Sequence, residues 1–231
     1  MIQSNNTHSS SALMLLSGGL DSVTALAWAL EHDYTIEYAI SFTYGQRHIR
    51  EIAAARAVAH HYGIAHEVIE LAPIQGSQLT NLGNIPQRRD LSALDEDIAP
   101  TYVPNRNMIF LSYAASRALL GAPSILIGGW NAADGLNYPD CREDFLAAAE
   151  RTLQLGTLRP FSIVRPLIED DKPAIVRRAL ALNVPIQLTW TCYLGGEAAC
   201  GTCDACQLRL SAFRSCGAVD PISYAISTEY A

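Results

Sequence analysis

The sequence contains no apolar run that approaches the roughly 18 residues a helix needs to cross a bilayer. Its first residues also lack the basic segment and the long apolar stretch of a secretory signal. We therefore expect a cytoplasmic protein in which residues 1–11, polar and rich in serine, form a disordered tail. Internal repeats are absent too, which excludes a repeat architecture.

Positive charge is scarce in this chain. Its 231 residues hold 16 lysines and arginines against 23 aspartates and glutamates, which gives a formal net charge of −7 at pH 7. This acidity argues against non-specific binding of nucleic acid, because such binding requires a basic surface. Hydrophobic residues make up 49% of the chain, enough for a real core, and the length suits one α/β domain with an appendage.

A glycine-rich stretch, SGGLDS at residues 17–22, follows an apolar run and opens a segment with helical periodicity. An anion can bind where a glycine turn leads from a strand into a helix, because the first N–H groups of a helix have no hydrogen-bond partners within it. Asp21 suits such a site if a metal ion bridges it to phosphates. The stretch lacks the GK[ST] ending of a Walker A loop. On these residues alone, an ordinary strand-to-helix turn is the alternative.

Strand patterns alternate with helical patterns along most of the chain, and the later strands are predicted at residues 36–44, 65–71, 124–129 and 162–167. This alternation predicts right-handed crossovers and a parallel, doubly wound sheet of about five strands. In such a sheet, ligands bind at the carboxyl ends of the strands. Polar segments follow two of these ends, YGQRH at 44–48 and a loop rich in hydrogen-bonding groups at 130–142.

Residues 72–104 show no clear periodicity and contain several glycines and prolines. A structureless segment of this length is uncommon in a compact domain, so we predict a mobile lid, with an inert surface excursion as the alternative. Arg106 and Lys172 each stand near a predicted helix start, where the helix dipole disfavours a cation. A phosphate nearby would explain both. A surface arginine paired with a lid carboxylate, and a solvated lysine, are the alternatives.

Four of the six cysteines crowd into the last fifth of the chain: Cys192, Cys200, Cys203 and Cys206. Four thiolates at this spacing close a tetrahedral zinc site with no open position, so we assign the site a structural role. Without an export signal, such a cluster favours metal over disulfides. An iron–sulfur cluster or a redox pair is the alternative on ligand type.

Together these motifs resemble those of the 7-cyano-7-deazaguanine synthase family, a branch of the ATP pyrophosphatases with an SGGxDS loop. The matching strings lie at residues 17–22, 44–48, 101–107, 137–145 and 189–209. The resemblance implies an adenine nucleotide alpha hydrolase-like fold, with an ATP pyrophosphatase α/β domain over 12–185 that carries the lid. It also implies a zinc-binding C-terminal region over 186–231 packed on that domain, and a homodimer.

The resemblance further implies an ATP-dependent ligase that converts 7-carboxy-7-deazaguanine and ammonia into 7-cyano-7-deazaguanine, the nitrile precursor of queuosine. ATP, with Mg²⁺, adenylates the substrate carboxylate and releases pyrophosphate, and ammonia then displaces AMP to give an amide. A second ATP activates the amide oxygen, and loss of AMP gives the nitrile. The protein's task is positioning and charge neutralisation.

Site residues carry over from the same resemblance. We expect ATP to be held by Ser17, Gly18, Gly19, Leu20, Asp21 and Ser22, with Tyr44 and Gln46 as further nucleotide contacts. We expect the deazaguanine to be contacted by Arg47, Asp134, Tyr138 and Asp140, since ionised carboxylates accept hydrogen bonds from a heterocycle. The candidates for catalysis are Asp21, Arg106 and Lys172. No general base is evident in the sequence.

Two places depart from the family pattern. Asn105 stands where the family usually has glycine, and residues 134–138 read DGLNY where it usually reads close to D-x-S-G-Y. These departures leave open a relative that stops at the amide or joins the activated acid to another amine, even one on a protein. A tRNA-modifying ATP pyrophosphatase, which the net acidity disfavours, and a non-enzymatic nucleotide-binding or zinc-knuckle adaptor are further alternatives.

Overall fold

The computed structural model describes residues 10–47, 49–80, 84–89 and 98–226. Its strands are β1 (Ser10–Leu15), β2 (Tyr34–Thr43), β3 (Ala65–Glu70), β4 (Ile125–Ile127) and β5 (Ser162–Val164). They form one sheet in the order β3-β2-β1-β4-β5, and every pairing is parallel. The predicted parallel, doubly wound sheet of five strands is therefore confirmed.

The α-helices of the described residues are α1 (Leu20–Glu31), α2 (Arg50–His61), α3 (Arg106–Leu119), α4 (Ala132–Asn137), α5 (Glu143–Thr157), α6 (Lys172–Ala181) and α7 (Asp204–Ser215). Helices α1, α2, α6 and α7 share one apolar core on one face of the sheet, while α3 and α5 form a second core on the other face. None of the helices in this described part is long and apolar enough to span a membrane.

The central strand β1 shows how the sequence builds both cores. Ala12 and Met14 are fully buried in the first core, whereas Leu13 is fully buried in the second. Successive strand residues point to opposite faces, so a strand covered on both sides must be apolar throughout. The uninterrupted run of apolar residues in β1 therefore sets it at the centre of the sheet.

Several predicted boundaries differ from the observed ones. Strand β1 begins at Ser10, so Ser10 and Ser11 belong to the sheet and not to the predicted tail, because they pair with Tyr34 and Thr35 of β2. The rest of the predicted tail, residues 1–9, lies outside the described residues. Strands β4 and β5 have only three residues each, shorter than the segments predicted for them.

The described parts of the segment 72–104 pack against the body of the protein. Ile85 is buried in a cluster with Trp190, and Gln87 forms an isolated β-bridge with Cys203. Farther along, Val103 is fully buried in the core beside α3. The remaining lid residues, 81–83 and 90–97, lie outside the described residues.

The C-terminal region is held by a buried ion pair. Arg209 of α7, only 4% exposed, donates to the two carboxylate oxygens of Asp220 at 2.6 and 2.9 Å. The same guanidinium donates to the Oγ1 atoms of Thr189 and Thr191 at 2.8 and 3.0 Å. It thereby fixes the segment before Cys192 against α7.

Replacing Arg209 with methionine should lower the free energy of unfolding by about 3–5 kcal/mol, because the buried Asp220 carboxylate loses its counter-charge. Urea denaturation measures this loss. Arg214→Met, an exposed position on the same helix, is the matched control and should change stability by less than about 0.5 kcal/mol. Equal stability of the two variants would contradict the structural role of the pair.

Candidate active site

A cavity of about 240 Å³ lies where β1, β2 and β4 end. The strand order changes direction at β1, because β2 and β4 lie on its two sides and the following helices cover opposite faces. Such a switch point is where open α/β sheets bind ligands. Polar residues of the cavity wall are Ser17, Asp21, Ser22, Ser41, Tyr44, Gln46, Arg47, Glu51, Arg106, Asn107, Asp134, Tyr138 and Tyr193.

The SGGLDS loop joins β1 to α1 and requires its first glycine. Gly18 has φ = +84°, a left-handed conformation that L side chains rarely adopt. A Cβ on Gly18 would lie 2.4 Å from the carbonyl oxygen of Glu51 and 2.6 Å from the backbone nitrogen of Ala55. Helix α2 therefore packs directly on the loop backbone.

The start of α1 offers hydrogen-bond donors to the cavity. Gly19 is the N-cap, and its lack of a side chain leaves the first N–H groups of the helix without a side-chain cap. The hydroxyls of Ser17 and Ser22 lie 3.0 Å apart on the cavity wall. Backbone N–H groups, hydroxyls and the positive end of a helix dipole together suit a phosphate group.

The only lysine of the sequence holds two carboxylates together. Lys172 Nζ lies 2.8 Å from Asp21 Oδ2 and 2.9 Å from Asp134 Oδ1. Burial lowers the pKa of Lys172, but Asp134 and Asp21 raise it by more, so the net pKa is raised and the amine stays charged. Lys172 is thus not a solvated surface lysine. Its direct contact with phosphate stays a prediction.

Arg106, the first residue of α3, gives the cavity a fixed positive charge. Its Nη1 atom donates to Tyr44 Oη at 2.9 Å. Burial lowers the pKa of Arg106, but Tyr44, Cys141 and Asp140 raise it by more, so the guanidinium remains charged. Since Arg106 and the SGGLDS loop line the same cavity, an anion bound there would explain a cation at this helix start.

The expected substrate contacts do not all reach the cavity. Arg47, Asp134 and Tyr138 line it, but Asp140 does not. Asp140 is 2% exposed, and its Oδ2 atom accepts a hydrogen bond from the backbone N–H of Asn107 at 3.0 Å. This carboxylate accepts from the start of α3, and its contact with the substrate stays a prediction.

Around the YGQRH string, Tyr44 and Gln46 line the cavity as expected. The Gln46 side chain accepts from the Tyr44 N–H at 2.7 Å and donates to the Phe42 oxygen at 3.1 Å, so it braces the end of β2. His48, the last residue of the string, lies outside the described residues.

Several residues of the cavity wall escaped the sequence analysis, among them Tyr193 and Glu51. Tyr193 lies 3.3 Å from Tyr138, hydroxyl to hydroxyl, and Glu51 stands in the first turn of α2. Burial raises the pKa of Glu51 to about 7, although Arg106 lowers it in part. The sequence feature that could have indicated Glu51 is its position at the start of the helix that follows the YGQRH string.

The four cysteines assemble as predicted. The backbone N–H groups of Leu194 and Cys200 lie 3.4 and 3.3 Å from Cys192 Sγ, and those of Thr202 and Cys203 lie 3.4 and 3.3 Å from Cys200 Sγ. Such donors stabilise thiolates, the form that binds metal. The four sulfur atoms lie within 4.8 Å of one another; they belong to Cys192, Cys200, Cys203 and Cys206.

Trp190 ties this cluster to the SGGLDS loop. Its backbone N–H donates to the Gly18 oxygen at 2.9 Å, and its indole N–H donates to the Cys192 oxygen at 3.0 Å. The Arg50 guanidinium lies 4.4 Å from the centre of the indole ring. Trp190 therefore links the cysteine cluster to the SGGLDS loop.

Residues 11–217 match the protein-family model described as "Queuosine biosynthesis protein QueC". A 7-cyano-7-deazaguanine synthase of Thermoplasma volcanium is 46% identical over 226 residues, covering 95% of this chain and 92% of that protein. Another, of Thermosynechococcus vestitus, is 47% identical over 225 residues, covering 93% and 96%. NMN synthetase from Francisella tularensis shares the fold, with a TM-score of 0.50 and 16% identity, covering 91% of this chain and 78% of its own.

Replacing Cys200 with serine should release the metal, lower the thermal midpoint by about 5 °C or more and weaken ATP binding about tenfold. The weaker binding follows because Trp190 links the cluster to Gly18. Elemental analysis, calorimetry and ATP titration measure the three effects. Cys216→Ser, a cysteine outside the cluster, is the matched control. Normal ATP affinity in a metal-free Cys200→Ser protein would refute the link.

Proposed function

The chain belongs to the QueC family of queuosine biosynthesis proteins, and on this basis we propose that it is an ATP-dependent ligase making 7-cyano-7-deazaguanine from 7-carboxy-7-deazaguanine and ammonia. The observation that carries the proposal is the cavity at the switch point of the sheet. There the SGGLDS loop, Arg106 and the carboxylates held by Lys172 line one space, as adenylation of a carboxylic acid requires.

The SGGLDS loop would stabilise the negative charge that develops during the reaction. As the substrate carboxylate attacks the α-phosphate, negative charge builds on the leaving pyrophosphate, and N–H groups at the start of α1 with the hydroxyls of Ser17 and Ser22 stabilise it. Arg106 supplies a permanent positive charge on the same cavity. Tyr44 and Gln46 are proposed nucleotide contacts, and Arg47, Asp134 and Tyr138 are proposed contacts of the deazaguanine.

Asp21 is the proposed ligand of Mg²⁺. Carboxylate oxygens suit this hard cation, and Asp21 stands at the helix start where the phosphates would lie. A bound Mg²⁺ would neutralise phosphate charge. Lys172 and Asn131, whose Nδ2 atom lies 3.3 Å from Asp21 Oδ2, hold the carboxylate in place.

Zinc is the metal we propose for the cysteine cluster. Four thiolates within mutual reach match a closed tetrahedral zinc site, and their backbone N–H donors fit thiolate charge. The set leaves no ligand position for water, so its work is to hold the fold and the SGGLDS loop. Reduced thiolates also support a cytoplasmic location.

The two departures from the family pattern are compatible with the nitrile product. Asn105 has φ = +52°, a left-handed conformation in which asparagine is the best-tolerated residue after glycine. Leu136, the first departure within 134–138, is 61% exposed. Neither of them, nor Asn137, is among the residues of the cavity wall. The departures therefore leave the proposed chemistry intact.

A homodimer and a lid complete the proposal. Helices α3 and α5 pack side by side, and exposed leucines, which suit contact with a second copy, lie in or directly after their last turns: Leu119, Leu120, Leu155 and Leu158. The lid over 72–104 would close on the cavity through Leu79, which lines it. Its opening would have to break the contacts that Ile85 and Gln87 make with the cysteine region.

The purified protein, given Mg-ATP, ammonium and 7-carboxy-7-deazaguanine, should release two AMP for each nitrile formed, because both the acid and the amide need activation. Mass spectrometry of the product and quantification of AMP measure the ratio. A product that stops at the amide with one AMP would refute the nitrile assignment. No AMP from a metal-replete protein would refute the substrate.

Replacing Lys172 with methionine should lower the rate of AMP formation by about 10²- to 10³-fold, since Asp21 and Asp134 lose the cation that balances them beside the phosphates. Initial rates with saturating acid and ammonium measure the loss. Lys172→Arg keeps the positive charge and should retain more activity. Equal loss in both variants would show that the charge is not what matters.

A further inference from the structure

We propose that the carboxylate of Glu51 is the catalytic base of this reaction, which accepts the protons that the nitrogen atom loses. This inference rests on the proposed function, which requires removal of three protons from nitrogen but assigns no group to take them. It adds a catalytic role for a residue on the wall of the same cavity.

The protons follow from the bonds that form and break. The lone pair of ammonia forms the C–N bond, the C–O bond to AMP breaks, AMP leaves with the electron pair, and one N–H proton must go to a base. In the second stage the amide oxygen displaces pyrophosphate from ATP and a second N–H proton is lost. The last N–H proton is lost as the C–O bond to AMP breaks and the nitrile forms.

Elimination among the carboxylates of the cavity wall points to Glu51. The wall contains Asp21, Glu51 and Asp134, and two of these three are paired with Lys172. Within the described ranges, no side chain or N–H group forms a hydrogen bond or ion pair with the Glu51 carboxylate. Glu51 is thus the carboxylate of the wall whose oxygens are left to a substrate.

The other ionisable groups of the wall are poor acceptors. Burial raises the pKa values of Tyr44, Tyr138, Tyr193 and Cys141, so these groups keep their protons at neutral pH. Arg47 and Arg106 have no proton-accepting form in this range. Asp134 and Asp21 stay bound to the charged amine of Lys172.

Geometry and electrostatics suit Glu51 to the task. It stands in the first turn of α2, whose backbone packs on Gly18, so its position relative to the SGGLDS loop is fixed. Burial raises its pKa to about 7, although Arg106 lowers it in part. A proton acceptor works best when its pKa lies near the working pH.

The test separates adenylation from nitrogen chemistry in Glu51→Gln. Exchange of labelled pyrophosphate into ATP, with the acid present and ammonium absent, should stay within about threefold of wild type. Amide and nitrile formation should fall by about 10²- to 10⁴-fold. Glu51→Asp, which keeps a carboxylate, should recover part of the loss, and Glu70→Gln, at an exposed position, should behave as wild type.

Two outcomes would overturn the proposal: nitrile formation by Glu51→Gln within threefold of wild type, or an equal loss of exchange and nitrile formation. Loss of nitrogen chemistry in His48→Gln but not in Glu51→Gln would assign the proton to His48 instead. If the wild-type protein itself makes no nitrile, the proposed function fails, and that result is distinct from failure of Glu51 alone.

A second measurement needs no variant. With the amide as substrate, ammonium does not titrate in the assay, so the pH profile reports the protein. Nitrile formation should rise with pH through about 7, because Glu51 accepts a proton only after losing its own. A flat profile between pH 6 and 8, where chemistry limits the rate, would overturn the proposal.

Discussion

The close approach of Gly18 to helix α2 is the constraint on which the rest of the site depends. The space left for a Cβ there is taken by backbone atoms of Glu51 and Ala55, and the Gly18 oxygen accepts from Trp190. One glycine therefore joins the SGGLDS loop, the helix that carries Glu51 and the cysteine region. Because backbone atoms make these contacts, side-chain rotation cannot relax them.

The positive charges at the cavity fall into two kinds, one paired with carboxylates of the protein and one not. Lys172 pairs with Asp21 and Asp134 and offsets part of their negative charge, which weakens their repulsion of a nucleotide. Arg106 is bonded to a neutral phenol, Tyr44, and so retains its charge for a ligand. Arg106 thus supplies a positive charge to the cavity wall although the chain as a whole is acidic.

The sequence allowed the sheet, the family and the cysteine cluster to be predicted, because each depends on local patterns: apolar runs, a glycine loop and ligand spacing. Residue roles were harder to predict, since they depend on contacts between distant segments. Asp140 sat in a string that faces the site, yet its carboxylate is used by the start of α3. Glu51 belongs to no sequence motif, and only the packing of α2 on the SGGLDS loop shows that it lies on the cavity wall.

The single lysine makes the reaction of this protein with amine-directed reagents unusually selective. Amines other than the chain's own terminus occur only at Lys172, which is 17% exposed and fixed between two carboxylates. Acylating and carbamylating reagents, which elsewhere scatter over many surface lysines, have a single side chain to find here. Each such modification replaces the cation that balances Asp21 and Asp134. Damage or labelling of a side-chain amine is therefore, in this protein, a report on Lys172 and the two carboxylates that hold it.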